Sequence, residues 1–287
     1  PALCPEGYYS PGSATICSEC TPGYTCELGS TNPTPTPCPI GGYCNPSRIF
    51  TKCPTGTYGN TTGGTSQEDA CTITEPGYYT PAAGSTFKSR IPCPQGAFCE
   101  AGSSYYSNCP GGTYSDLLKA TNISACLETQ RGYYTTHGSS SLHVTACPAG
   151  YYCPQRTSVY SNTPCPAGTF SGATGLYSST QCQNCTIGNF CPQAAISPTQ
   201  CNIGRYNPHE RGTESSICGL CERGWACPVA GMFEMTTRCQ PGCYCPSGTS
   251  YSHQYPCPLG RYSDEINLTS ADECLLCPER FACTSTV

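Results

Sequence analysis

Along this chain the apolar positions keep neither a helical nor a strand period for long. No stretch sustains a 3.6-residue apolar repeat, and 31 glycines and 28 prolines in 287 residues interrupt any long helix. What recurs is a short phrase of cysteine, proline, glycine and an aromatic ring, set in polar loop sequence. It reads Cys53-Pro-Thr-Gly-Thr-Tyr58, Cys109-Pro-Gly-Gly-Thr-Tyr114, Cys165-Pro-Ala-Gly-Thr-Phe170 and Cys257-Pro-Leu-Gly-Arg-Tyr262. The glycine suits a turn at positive φ, and the proline sets the entry to that turn. The ring is expected to pack on a disulfide and on the neighbouring unit. The pattern predicts short two-stranded β-ribbons and loops stacked end to end. The expected fold is small and disulfide-rich: an elongated, rod-like tandem array of ribbon and loop modules with little or no helix.

Cysteine carries the rhythm. There are 29, a density typical of extracellular scaffolds held by disulfides in an oxidising compartment. Long intervals run Cys4/Cys17, Cys53/Cys71, Cys109/Cys126, Cys165/Cys182, Cys201/Cys218 and Cys257/Cys274. Blocks of two cysteines separated by five residues follow, at Cys20/Cys26, Cys185/Cys191, Cys221/Cys227 and Cys277/Cys283. Further blocks of the same spacing stand at Cys38/Cys44, Cys93/Cys99, Cys147/Cys153 and Cys239/Cys245. The cysteines at 53, 109 and 165 lie 56 apart, as do those at 201 and 257, so the chain reads as a tandem repeat. The units are 4–52, 53–108, 109–164, a short one at 165–200, 201–256, and a partial one at 257–287.

In the second and third units one block has lost both cysteines together. Thr74 and Thr80 replace one pair, Thr129 and Thr135 the other, and the flanking Gly77-Tyr78-Tyr79 and Gly132-Tyr133-Tyr134 keep the alignment. Joint loss is what a bonded pair shows, because losing one partner strands a thiol. This predicts Cys20–Cys26, Cys185–Cys191, Cys221–Cys227 and Cys277–Cys283, and by extension closure of every other interval on itself. Spacing alone leaves an interleaved pairing within a unit open. On the sequential scheme 28 cysteines form 14 bridges and Cys243 is left over. Cys243 reads as an intermolecular cross-link or reactive thiol, or else as a buried free thiol, a capped one, or one whose partner lies beyond this chain. A bridge closing a loop of roughly 15 residues contributes about 3 kcal/mol in the chain-entropy model. Two or three such bridges per unit are comparable with the net stability of an ordinary domain.

The remaining chemistry is sparse. Charged residues make up 11% with formal net charge −5, which argues against a nucleic-acid partner. Sequons for N-glycosylation stand at Asn60, Asn122, Asn184 and Asn267, whereas Asn32, Asn45, Asn162 and Asn207 are disqualified by a nearby proline. The run Thr31-Asn32-Pro33-Thr34-Pro35-Thr36-Pro37 reads as extended, polyproline-like chain: a spacer, an O-glycan site or a plain connector. Cys-x2-Cys at Cys17/Cys20, Cys182/Cys185, Cys218/Cys221 and Cys274/Cys277 lacks the second pair of a zinc ribbon, so no metal or other cofactor is expected. His137, His143, His209 and His253 are scattered, and Glu68-Asp69 and Asp264-Glu265 lack calcium-loop spacing. No catalytic set is expected.

Cys-Pro-x-Gly-Thr-Tyr, a long interval, then Cys-x2-Cys and Gly-Tyr resembles the GCC2/GCC3, or ephrin-receptor-like, cysteine-rich repeat. The likeness runs over all six units and departs from the pattern at the Thr/Thr blocks and at Cys243. It implies an extracellular rod with structural or interaction roles and no catalytic residues to carry over. The sequence has no initiator Met, signal peptide or membrane-spanning stretch, so it reads as a mature chain or an excised part of a longer one. Joined head to tail, the three residues before Cys4 and the four after Cys283 leave a seven-residue gap, close to the internal linkers. The expectation is therefore a structural subunit or segment of an extracellular, cell-surface glycoprotein filament, with further copies of itself as partners. The alternative is a ligand-binding or adhesive ectodomain of a receptor-like surface protein. A secreted inhibitor or toxin-like binder and an enzyme rank below both.

Overall fold

The computed structural model describes residues 3–12, 15–45 and 49–283. The predicted head-to-tail junction falls on residues 1–2 and 284–287 and lies outside the described residues. Among the described residues, thirteen antiparallel two-stranded ribbons make up most of the regular structure. Each strand is two or three residues long, as in the Tyr8–Tyr9 strand paired with Ser18–Glu19 and the Gly42–Cys44 strand paired with Phe50–Lys52. Among the described residues, helix is confined to single turns such as Gln67–Ala70 and Ile123–Ala125. The architecture is that of disulfide-rich tandem ribbon modules.

These residues form such short ribbons because one hairpin motif is used throughout, and it is finer than the 56-residue unit. Each hairpin opens with a cysteine or threonine and places a residue of left-handed φ three residues on, a glycine everywhere but at Arg280 (φ +73°) in the last. Most run straight into a ribbon strand, whereas those opening at Cys147 and Cys239 form only single bridges, Tyr151 to Pro164 and Cys243 to Pro256. Openings fall at residues 4, 20, 38, 53, 74, 93 and 109, so successive hairpins begin 15 to 21 residues apart. The three blocks of a unit are three such hairpins, and the short unit holds two. The glycine takes left-handed φ, +77° at Gly96 and +76° at Gly188, which a side chain disfavours. The hairpin closes where the opening residue of the next donates its amide to that glycine's carbonyl, as in Cys38 to Gly23 (2.8 Å) and Thr74 to Gly56 (3.0 Å).

The chain divides into two compact units, one of Pro1–Thr129 with Thr135–Val144, the other of Gln130–Tyr134 with Thr145–Val287. Within the first, the glycine amide of one hairpin donates to the carbonyl three residues beyond the next hairpin's glycine. Gly7 reaches Cys26 and Gly96 reaches Ser115, both at 2.8 Å. A β-bridge at the aromatic position, Tyr114 to Ser139, adds to the contact. The next hairpin but one comes close as well: a Cβ on Gly96 would lie 2.1 Å from the Gly138 carbonyl oxygen.

The second unit repeats these relations. Gly168 donates to Cys191 and Gly204 to Cys227, both at 2.8 Å, and Phe170 bridges Ala195. A Cβ on Gly188 would lie 2.0 Å from the Gly231 carbonyl oxygen.

Among the described residues, neither unit has one continuous apolar core. The buried side chains are mainly half-cystines, and most of the small clusters are covered by a ring from the preceding hairpin. Tyr79 packs on Cys93 and Cys99, Phe170 on Cys185 and Cys191, and Tyr244 on Cys257 and Cys274. Large apolar residues such as Ile73, Leu127 and Leu276 stay exposed. Stability therefore resides in covalent closure and hairpin stacking more than in buried apolar area.

Candidate functional site

The feature that organises the chain is the clasp across the base of each hairpin. Where the opening residue and the residue six further on are both cysteine, they bond: Cys20–Cys26, Cys38–Cys44, Cys93–Cys99, Cys147–Cys153, Cys185–Cys191, Cys221–Cys227, Cys239–Cys245 and Cys277–Cys283. In the other hairpins the opening cysteine instead reaches a cysteine near the hairpin's end: Cys4–Cys17, Cys53–Cys71, Cys109–Cys126, Cys165–Cys182, Cys201–Cys218 and Cys257–Cys274. The position three past the glycine then carries a small residue. Ser115, Ser171 and Ser263 are buried there, and each hydroxyl accepts the amide two residues on. Asn207, fully buried, does the same for His209 at 3.0 Å.

The two cysteine-free hairpins carry a third kind of clasp. The hydroxyls of Thr74 and Thr80 meet at 2.7 Å, as do those of Thr129 and Thr135, and all four side chains are buried. Thr74 Oγ1 donates to the Gly56 carbonyl (2.8 Å) and Thr135 Oγ1 to the Thr113 carbonyl (3.2 Å). Each hydroxyl has one proton, so Thr80 must donate to Thr74 and Thr129 to Thr135. The buried groups are thereby satisfied without a covalent bond.

Cys243 is fully buried and unpaired, next to the Cys239–Cys245 bridge. Burial pushes its thiol pKa up, away from the reactive thiolate form. Of the sequon asparagines, Asn60, Asn122 and Asn184 are exposed. Asn122 caps the Ile123–Ala125 turn by accepting the Ser124 amide. Asn267 is only half-exposed and sits at φ +69°, with its amide bonded to the Cys239 carbonyl and its Oδ1 buried. The Thr31–Pro37 run is largely exposed, and Thr36–Pro37 pairs as a strand with Tyr24–Thr25.

An ionic knot, not anticipated from the sequence, joins three hairpins of the first unit. Arg90 pairs with Glu75 and lies over the rings of Phe87 (3.6 Å), Tyr78 (4.6 Å) and Tyr58 (5.5 Å), while Lys119 lies over Tyr78 as well (4.9 Å). Tyr58 donates its hydroxyl to Glu75 at 3.0 Å. Partial burial raises the Glu75 carboxyl, but its backbone amide, Arg90 and Tyr58 outweigh this and hold it below the usual carboxylate range. Burial, reinforced by Glu75, raises the Tyr58 hydroxyl. The spacing of Glu75 and Arg90 carried no signal of this pairing.

Among the described residues no group of three or more His, Cys, Asp or Glu side chains is placed to hold a metal, and no helix is long and apolar enough to cross a membrane. His137 Nδ1 accepts the Gly111 amide and His143 bonds Ser140, so these two rings serve loops. A groove of about 560 Å³ opens on the second unit, lined by Phe190, Thr199, Gln200, Asn202, Arg205, Ser215, Ser216 and Cys218. No protein-family model matches the chain, and no curated relative does. The chain is a cysteine-rich tandem-repeat protein by its own architecture, and its bridges belong in an oxidising compartment.

Proposed function

We propose that this chain is a structural segment of an extracellular or cell-surface glycoprotein filament, with copies continuing one another head to tail. The observation that carries this reading is the sameness of the contact between successive hairpins. Gly96 to Ser115 in one unit and Gly204 to Cys227 in the other are the same hydrogen bond at the same 2.8 Å. A contact that joins unlike faces and repeats without closing extends indefinitely, as in solenoids and filaments. The resemblance to GCC2/GCC3 repeats supports the same extracellular setting and assigns no catalytic residue. Low charge and exposed Leu127, Leu220 and Leu276 support lateral packing. Sugar at Asn60, Asn122 and Asn184, and O-linked glycan on Thr31–Pro37, would coat the outside.

The second reading is a ligand-binding or adhesive ectodomain, and the groove at Arg205 favours it. Negative-stain electron microscopy of natively secreted material, with and without reductant, tests the first. Uniform filaments are the expected result, and their loss on reduction would make the bridges the load path. Isolated particles at micromolar concentration would overturn self-assembly and leave the ectodomain reading.

A further inference from the structure

The groove on the second unit is built from two successive hairpins. Its floor is the ribbon of Asn189–Phe190 paired with Thr199–Gln200, where Phe190 stands directly opposite Thr199. Its wall is Arg205 together with the Ser215–Ile217 turn, and the Cys201–Cys218 bridge ties that turn to the opening of the hairpin. Arg205 Nη1 donates to the Cys218 carbonyl at 2.7 Å, which fixes the guanidinium while its other nitrogens remain available. The Arg205 amide also closes a tight turn onto the Asn202 carbonyl (3.1 Å), bringing Asn202 and Arg205 to one lip.

The lining is unusual for a small-molecule pocket. Besides one aromatic ring and a half-cystine it offers two carboxamides, the hydroxyls of Thr199 and Ser215, and one cation, with no carboxylate and no aliphatic side chain in the lining; the third hydroxyl, Ser216, is already taken. The closest acid in sequence, Glu214, is engaged by the Ser216 hydroxyl at 2.8 Å. At about 560 Å³ the volume falls in the range of ordinary ligand sites, which are mostly apolar. A polar groove with one half-buried ring suits a hydrophilic ligand that has one apolar face. Pyranose sugars have that character: axial C–H groups lie on a ring, and vicinal hydroxyls bridge carboxamides and hydroxyls. A fixed guanidinium without a competing carboxylate adds a bidentate seat for one negative carboxylate.

We propose that this groove binds an oligosaccharide containing uronic acid, with Arg205 seating the carboxylate, Asn202 and Gln200 bonding ring hydroxyls, and Phe190 stacking under the sugar. The site is independent of filament assembly. An acidic peptide is the competing occupant, disfavoured because it would leave the hydroxyl- and amide-rich lining without matching vicinal groups.

The test is isothermal titration of the oxidised, secreted chain with trigalacturonate, with the neutral galactose trimer and an aspartate-rich peptide as comparison probes. Trigalacturonate is expected to bind, with both comparison probes at least about tenfold weaker. Arg205→Gln should weaken binding about tenfold or more, and Asn202→Ala, whose exposed side chain makes no hydrogen bond among the described residues, by a smaller factor. Arg261 makes the same 2.7 Å bond to a half-cystine carbonyl, at Cys274, but does not line the groove. Arg261→Gln should therefore leave the affinity unchanged, which separates loss of the site from loss of the local fold. Absence of binding, equal binding of the neutral trimer, binding of the peptide alone, or insensitivity to both groove variants would overturn the proposal.

Discussion

The hydroxyls of Thr74 and Thr80 meet at 2.7 Å inside the first unit, at the place where other hairpins carry a disulfide. A hydrogen-bonded pair thus does the work of a covalent clasp. The exchange is confined to residues of near-equal volume that satisfy each other when buried.

Restoring the covalent clasp is expected to succeed. Thr74→Cys/Thr80→Cys should oxidise spontaneously, because the homologous Cys93–Cys99 pair spans 5.9 Å between Cα atoms in the same setting. Intact-mass analysis should show the loss of two hydrogens. The chain-entropy model gives a gain of about 2 kcal/mol for so short a loop. Thr80→Ala alone should instead cost about 1–3 kcal/mol, because it removes one member of a buried pair. Thermal unfolding of the two oxidised variants beside the parent chain, without reductant, shows the gain and the loss with opposite sign.

Gly188→Ala should damage the second unit severely. The left-handed backbone costs about 1–2 kcal/mol for any side chain, and the new Cβ would stand 2.0 Å from the Gly231 carbonyl oxygen. Relieving that overlap adds roughly 1–3 kcal/mol. Gly260→Ala has the same left-handed backbone but meets nothing within 4 Å among the described residues, so only the backbone cost is expected. Comparing secretion yield and unfolding midpoint of the two variants isolates the stacking contact.

Cys243 should resist alkylation in the folded chain and react once the chain is denatured. It is fully buried, and burial holds the thiol above its ordinary pKa. Mass-spectrometric counting of maleimide adducts with and without guanidinium checks this. An adduct formed at the native rate of a free thiol would show that Cys243 is accessible for cross-linking after all.

The Glu75 knot predicts an acid-sensitive element in the first unit. Glu75 is held below the usual carboxylate range, so its contribution is complete above that range and is lost as pH falls through the depressed folded value. Glu75→Gln should flatten the acid side of the stability profile and leave neutral pH only mildly affected, since the carboxylate is partly exposed. Unfolding midpoints measured from pH 3 to 7 check it. An unchanged acid limb would show that other carboxylates dominate.

Much of the fold was legible because its determinants are local. Glycine at a left-handed turn, short polar loops and a cysteine count far above what a cytosolic chain tolerates all point to ribbons and bridges. The joint replacement at Thr74 and Thr80 also linked those two positions before any geometry was known. The hairpin as the true period was harder to see. The opening phrase loses its proline at Cys20-Thr21 and at Thr129-Gln130, its ring moves one place earlier at Trp225, and its glycine becomes Arg280 in the last hairpin, so the shared element is only a left-handed residue three places in. The serine or asparagine three past that glycine, as at Ser171 and Asn207, was a weak signal of the same register. The Arg205 groove left no trace, because its lining comes from residues of ordinary type in two hairpins.

The sequence by itself determined what covalent geometry and backbone sterics dictate: where turns fall, how long each loop is, and that a thiol count this high needs oxidation. The tertiary structure decided which groups meet between hairpins. It set Gly188 against Gly231, closed Thr129 on Thr135 with a hydrogen bond, gathered Tyr58, Glu75 and Arg90 into one knot, and buried Cys243. Those contacts depend on how one hairpin lies on another. That relation is set by the summed fit of many weak contacts, and no short stretch of sequence encodes it.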